Sequence, residues 1–502
     1  MNGLHLLPGI IIAPFAAALI MLFVPATARN LIRGLALAAA TVSLTLATFA
    51  MFLYDNATKG LQFVESVKWL SSYGISLDLG VDGLSLPLVL LTSIIFFAGV
   101  FVSWKLENRP KEFFVYTLLL VGGVFGVFMS TDLLVLFMFI EVAVIPKYVL
   151  ISVWGSTRKE YAAMKYTLYL LAGSALAFVG LFAIYAYVQN PQFGLGYGTF
   201  SLAELQKVNF DPTFQKWAFL ALLVGFGVLV PIFPLHRWTP DGHSAAPTTI
   251  SMLLAGVIMK LGGYAIIRVG LGYFPEGAAY WAPLIAVLAA VNVIYIAFVA
   301  LVQKDMKFVV ANSSISHMGF VLLGIASMNA VSVSGAAAQM FAHGIMAALF
   351  FALVGQVYDK AHTRMIADFG GLAKYMPRTS AAFLFVGLAS LGLPGLFNFV
   401  PEFTVFVGGM QRFPILTVIS IFSVVVTAIY VLWVYQRVFF GPANVRWEGL
   451  SDMKGVEIVP VVLLGGILLV LGIMPGGFMN MVSGGIAPIV QRLAAVGTGG
   501  IF

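Results

Sequence analysis

Cysteine is absent from the 502 residues. That excludes disulfides, thiolate metal sites, cysteine-ligated clusters and thiol nucleophiles from this chain. Charge is scarce too: Asp, Glu, Lys and Arg make up 9% of the sequence, against about 25% in soluble domains. So few charges cannot cover a folded surface in water. The formal charge of +7 is not gathered into a polybasic tail or stripe, so nucleic acid is not an expected partner. No Gly-x-Gly-x-x-Gly turn follows a strand, which removes the usual dinucleotide site.

What the chain has is hydrophobic length, with 61% of its residues apolar. Apolar runs of about 20 residues can span a bilayer, and such runs follow one another from end to end without an interrupting soluble domain. Fourteen spans are predicted. The first, from Leu7 to Pro25, lacks a basic leader and a small-residue cleavage site, so it reads as a mature helix. Backbone groups in lipid must be satisfied internally, and continuous apolar runs favour helices over a barrel's short alternating strands. The predicted fold is all-α and polytopic. With the N-terminus outside, 18 Lys and Arg residues fall on the inward side and 7 on the outward side, with Lys147 and Lys260 left within spans. The positive-inside bias then places both termini outward.

Two spans carry helix-breaking chemistry. Val230-Pro231-Ile232-Phe233-Pro234 puts two prolines within one turn of the seventh span, and proline removes a donor and clashes with the preceding turn. Leu391-Gly392-Leu393-Pro394-Gly395 interrupts the twelfth. Interrupted helices at matching positions point to an inverted-repeat transporter core. The expected organisation is residues 1–112 as helices 1–3, 113–272 as a first five-helix repeat (helices 4–8), 281–440 as a second (helices 9–13), and 441–502 as helix 14 with a tail. Two unrelated proline kinks are the alternative.

A charge at mid-bilayer costs about 2.5–3.5 kcal/mol on insertion scales, so each one calls for a reason. Glu141 and Lys147 lie in the fifth span, Lys260 in the eighth, His317 in the tenth, His343 in the eleventh beside Gly344, and Glu402 after the break in the twelfth. Carboxylates and amines trade protons readily when burial and opposite charges compete, and histidine suits a relay position between them. A structural salt bridge, or a helix-to-helix hydrogen bond for the histidines, is the alternative for each. Lys165, Lys307 and Lys454, near span ends, are expected to snorkel to the interface, and Asp132 to cap a helix. The path is read as Glu141, Lys260, His317, His343 and Glu402 in that order.

Four stretches carry a family resemblance: Val81-Asp82-Gly83-Leu84-Ser85-Leu86-Pro87, the segment from Pro234 to Pro247, Ser313-Ser314-Ile315-Ser316-His317-Met318-Gly319, and Leu388 to Gly395. Together they resemble the signatures of the antiporter-like subunits of respiratory complex I, over essentially the whole chain. Asn398-Phe399-Val400-Pro401-Glu402-Phe403 is similar to the M-type form. The resemblance implies fourteen helices, two inverted five-helix repeats and a proton path along the membrane plane. It makes Glu141 the fifth-helix glutamate, Lys260 the central lysine, Glu402 the exit-side residue, and His317 and His343 the relay histidines; His236 and His243 are auxiliary candidates. One departure stands out. The family's seventh-helix lysine should occupy the place of Leu229, while Lys147 follows Pro146 where most members are uncharged. The expectation is that Lys147 supplies the displaced ammonium.

The function this implies is a proton-translocating membrane-arm subunit of an NADH–quinone oxidoreductase in the bacterial plasma membrane. Its partners would be L- and N-type antiporter-like subunits and small membrane subunits. Neither a metal nor a cofactor is expected in this chain; NADH, flavin, iron–sulfur clusters and quinone would belong to partner subunits. The competing readings are a subunit of a multisubunit cation/proton antiporter or membrane-bound hydrogenase, and a structural subunit with impaired pumping.

Overall fold

The computed structural model describes residues 5–58 and 60–495. Both chain ends and Lys59, which the charge bias places outward, lie outside the described residues. Among the described residues, thirteen helices are long and apolar enough to cross a membrane. They are α1 (Leu6–Phe23), α2 (Arg29–Leu53), α3 (Ser85–Val102), α4 (Pro110–Met129), α5 (Leu133–Trp154), α6 (Lys159–Gln189), α7a (Pro212–Leu229), α8 (Thr248–Leu271), α9 (Pro275–Leu301), α10 (Met306–Ser327), α11 (Ala330–Ala361), α13 (Pro414–Phe439) and α14 (Ile458–Ile473). The remaining expected span is split into α12a (Pro377–Ser390) and α12b (Phe399–Arg412). At 14 residues each, these halves are about 21 Å long and too short to cross alone.

Both breaks fall where the sequence places them. Helix α7a stops at Leu229, and the chain turns through Pro231 and Pro234 into the short helix α7b (Trp238–Ala245). The α12 break holds Gly392 and Gly395 at positive φ, a conformation that costs other residues strain. Helix starts follow local chemistry as well. Proline opens α4, α7a, α9, α12a and α13, where its missing N–H would be unpaired anyway. Asp132 caps α5, as expected, by accepting the amides of Leu134 and Val135 at 3.0 Å each. Asp305 caps α10 through the Lys307 amide at 2.8 Å. Each capping residue also forms an isolated antiparallel bridge, Asp132 with Ser201 and Asp305 with Met365.

Three elements depart from the expected all-helical chain of fourteen spans and a tail. Strands β1 (Gln62–Leu70) and β2 (Ile75–Val81) form an antiparallel hairpin between α2 and α3. The residues after α14 form a further helix, α15 (Gly476–Ala495). Its buried stripe of Phe478, Met481, Val482, Ile486 and Ile489 covers the start of α3, where a Cβ on Gly83 would sit 2.9 Å from the Gly485 nitrogen. Finally, α8 widens into π-helix over Leu254–Ile258 and Ile266–Leu271. Such segments commonly mark functional sites in helices.

Helices α8 and α11 are buried along their whole apolar windows, whereas most of α2, α6 and α14 faces outward. The two central helices cross at a glycine pair. A Cβ on Gly344 would lie 2.6 Å from the Gly256 carbonyl oxygen, and one on Gly256 would lie 3.2 Å from that of Gly344. Small residues are what permit such close approach in membrane bundles.

Candidate functional site

The Gly256–Gly344 crossing sets the site. Lys260 is one turn beyond Gly256 and His343 is next to Gly344, so the crossing brings an ammonium and an imidazole together at the bundle centre. Lys260 Nζ lies 2.8 Å from His343 Nδ1 and also donates to the Ala255 carbonyl. Ala255 is in the π segment, five residues back along the chain. Both side chains are fully buried. An ammonium this deep needs acceptors, and the widened turn provides one.

From His343 the row continues to His317, whose ring centroid is 5.4 Å away. His317 Nδ1 lies 3.1 Å from Glu402 Oε1, and its Nε2 lies 3.3 Å from Ser390 Oγ. Glu402 Oε1 accepts a second hydrogen bond from Gln339 Nε2 at 3.0 Å. Glu402 occupies the first turn of α12b, where the helix dipole favours a negative charge. The break in α12 therefore does two things: it presents a helix N-terminus to the carboxylate, and it brings Ser390 from α12a to the other side of His317.

The order Lys260, His343, His317, Glu402 corrects the order expected from the sequence, in which His317 preceded His343. Position along the chain cannot rank the histidines, because the Gly344 crossing hands the Lys260 contact to α11. Gln339 and Ser390 were missed by the sequence reading. Gln339 lies four residues before His343, on the same face of α11, a spacing that could have flagged it. Ser390 lies inside the Leu388–Gly395 stretch.

The first half of the predicted path is less connected. Glu141 is half-buried, and its Oε1 has no hydrogen-bond partner. Lys147 is fully buried; its Nζ has no hydrogen-bond partner and lies 5.1 Å above the Tyr166 ring. No ion pair joins Glu141 and Lys147. Leu229 is buried at the end of α7a, and a Cβ on Gly262 of α8 would lie 2.9 Å from the Leu229 Cβ. His243 is fully buried with both ring nitrogens unpartnered, and it stacks on Phe351 at 5.1 Å. His236 is buried against Phe233 with Nδ1 free.

At one end of the bundle a cavity of about 700 Å³ is lined by Lys105, Lys307, Asp359, Arg364 and Glu457, among others. Lys307 does not snorkel as expected. It is buried and donates to the Ala246 carbonyl at 2.5 Å, next to the Arg364–Asp305 ion pair at 2.5 Å. The end of α7b needs an acceptor's partner there, and the lysine stem is long enough to reach it. Lys165 is likewise held, by Asp241 at 2.5 Å. At the opposite end Arg268 makes a two-pronged pair with Asp82, at 2.7 and 2.6 Å, tying α8 to the start of α3.

A polytopic helical bundle with two broken helices and a buried Lys–His–His–Glu row defines a class: membrane subunits of the antiporter-like type. Residues 130–429 match the model of the NADH:quinone oxidoreductase/Mrp antiporter transmembrane family, and the chain belongs to that family. It is 38% identical over 460 residues to NAD(P)H-quinone oxidoreductase chain 4 of Gloeobacter violaceus, covering 89% of this chain and 86% of that one. A second chain 4, from Synechococcus elongatus, is 39% identical over 470 residues, covering 90% of this chain and 85% of its own length. Among solved structures, a chain of respiratory complex I from Thermus thermophilus with bound NADH superposes with a TM-score of 0.88 at 28% identity, covering 98% of this chain and 99% of that chain. A chain of the archaeal membrane-bound sulfane sulfur reductase shares the fold, with a TM-score of 0.85 at 24% identity over 98% of this chain and 99% of its own.

Proposed function

We propose that this chain is a proton-translocating membrane-arm subunit of an NAD(P)H:quinone oxidoreductase. The observation that carries this is the row Lys260–His343–His317–Glu402, drawn from four helices and buried throughout. A scaffold would have no use for four buried ionisable groups in sequence, since each is costly in a bilayer. Lys260 is the central proton carrier, His343 and His317 relay, and Glu402 is the exit-side group. Glu141 serves the uptake half, with His236 and His243 as auxiliaries. The electron chemistry, with its NADH, flavin, clusters and quinone, is assigned to partner subunits; for the clusters the reason is that this chain has no cysteine to ligate one. Those partners are other membrane-arm subunits, and the setting is a bacterial plasma membrane with both termini on the outer side.

We also read helices 4–8 and 9–13 as two inverted repeats. Asp132 and Asp305 support this: each caps the second helix of its half and bridges to the segment that follows the third. On the charge-derived topology they stand at opposite membrane faces.

The test is purification of the complex followed by proton uptake in inverted vesicles during NADH oxidation. Copurification of a cluster-bearing arm with quinone reductase activity is expected. Lys260→Ala should cut proton pumping by about 100-fold or more, the scale of losing a positioned proton-transfer group, while the complex still assembles. Cation/proton exchange without NADH oxidation would sink the proposal, as would unchanged pumping in the Lys260 variant.

A further inference from the structure

We infer that Lys147 is a proton-loading amine, working from α5 in the region where α7a is wholly apolar. This rests on the proton-relay reading above and adds a carrier to its uptake half. Between Glu141 and Lys260 a relay needs a group that can hold a proton, and the end of α7a offers none: Val228, Leu229 and Val230 are buried there. Lys147 is the ammonium that the fold does place in this region. It is fully buried and unpartnered, so it is neither a snorkelling lysine nor half of a structural salt bridge. The Tyr166 ring, at 5.1 Å, holds it by a cation–π contact, which attracts the charged form without engaging its three N–H groups.

The surroundings are laid out for transfer. Glu141 lies six residues before Lys147, about 9 Å along the helix axis, and its Oε1 is buried without a partner. Tyr166 packs edge-on against Trp238 at 5.2 Å, and Trp238 stacks on His243 at 6.4 Å. The Tyr166 hydroxyl and both His243 ring nitrogens are also without partners. Unpartnered buried polar atoms thus occur at Glu141, Lys147, Tyr166 and His243, and the Tyr166 and Trp238 rings lie between Lys147 and His243. In the transfer, protonated Glu141 gives up its proton and the Lys147 amine gains one through bridging water, since six residues put the two about 9 Å apart along the axis and about 120° apart around it; a carboxylate and an ammonium result. The ammonium then releases that proton towards His243 and Lys260 and returns to the amine. Pro146 aids the arrangement, since it cannot supply the hydrogen bond that would otherwise stiffen this turn of α5.

The experiment uses the complete complex in inverted vesicles, with pumping normalised to assembled complex. Lys147→Met should lower proton pumping to about a tenth or less. Lys147→Arg keeps the charge but cannot give up its proton, and it should fail as the Met variant does. Adding Leu229→Lys to Lys147→Met should restore pumping, because it returns an amine to the end of α7a, which packs against α8 at Gly262. Wild-type pumping by the Met variant, or by the Arg variant, would overturn the inference. If the Met variant does not assemble, the Arg variant decides alone. Lys260→Ala runs in parallel: if it abolishes pumping while Lys147→Met does not, only this inference falls; if neither has an effect, the relay reading falls with it.

Discussion

Replacing Gly392 by alanine perturbs the Glu402 carboxylate without replacing any ionisable residue. Gly392 has φ +67°, and an added Cβ would lie 2.8 Å from Glu402 Oε2. The left-handed backbone costs a non-glycine residue about 1–2 kcal/mol. The contact adds a displacement, because a carbon–oxygen approach needs roughly 3.3 Å. The carboxylate is the end of a flexible side chain, so it is what gives way, by about 0.5 Å. Passed through the carboxylate to Oε1, a shift of that size takes its 3.1 Å bond with His317 to as much as about 3.6 Å, past hydrogen-bond range. A bond to a charged group contributes about 1.5–3 kcal/mol, so the state in which His317 and Glu402 are joined would lose roughly 10- to 150-fold in population. Gly395→Ala is the matched control. Its φ is +95°, but nothing lies within 4 Å of the added carbon. Both variants should lower the thermal stability of the purified complex by similar amounts, and only Gly392→Ala should depress proton uptake per NADH oxidised. Equal pumping by the two would refute the argument that the α12 break aims Glu402.

Two further predictions follow from the same contacts. Gln339→Leu removes one of the two side-chain donors to Glu402 Oε1; pumping should fall by about tenfold, the value of one bond to a charged acceptor, with assembly intact, and wild-type pumping would show that Gln339 is dispensable. Asp452 lies outside the membrane spans. Partial burial opposes its charged form, but the Thr379 hydroxyl and the amides of Arg378, Met453 and Thr379 outweigh this and hold its carboxyl below the usual carboxylate range. A depressed carboxyl contributes stability above its unfolded value, near about 4, and loses it as pH falls through the folded value. Asp452→Asn should therefore melt earlier than wild type at pH 7.5, and the gap should close on acidification below about pH 4. A gap that does not change with pH would exclude this carboxylate as its source.

The sequence by itself determined the membrane class and the places where two of the spans break. Each follows from local chemistry: apolar run length against bilayer thickness, and prolines and glycines that cannot continue a helix. It also singled out the ionisable residues, because a charge within an apolar run stands out whatever its neighbours are. The tertiary structure alone decided which of them meet. The approach of Gly256 and Gly344 gives Lys260 to His343 rather than to His317, and no linear spacing encodes a contact between helices 83 residues apart. The π segment that supplies the Ala255 carbonyl and the burial of Lys307 against Ala246 are also products of packing. Those backbone acceptors become available only when neighbouring elements are in place. For Lys147 the two sources meet: the sequence set it apart as a charge in an unusual position, and only the fold decided that its ammonium lies inside the protein, over Tyr166, rather than in lipid.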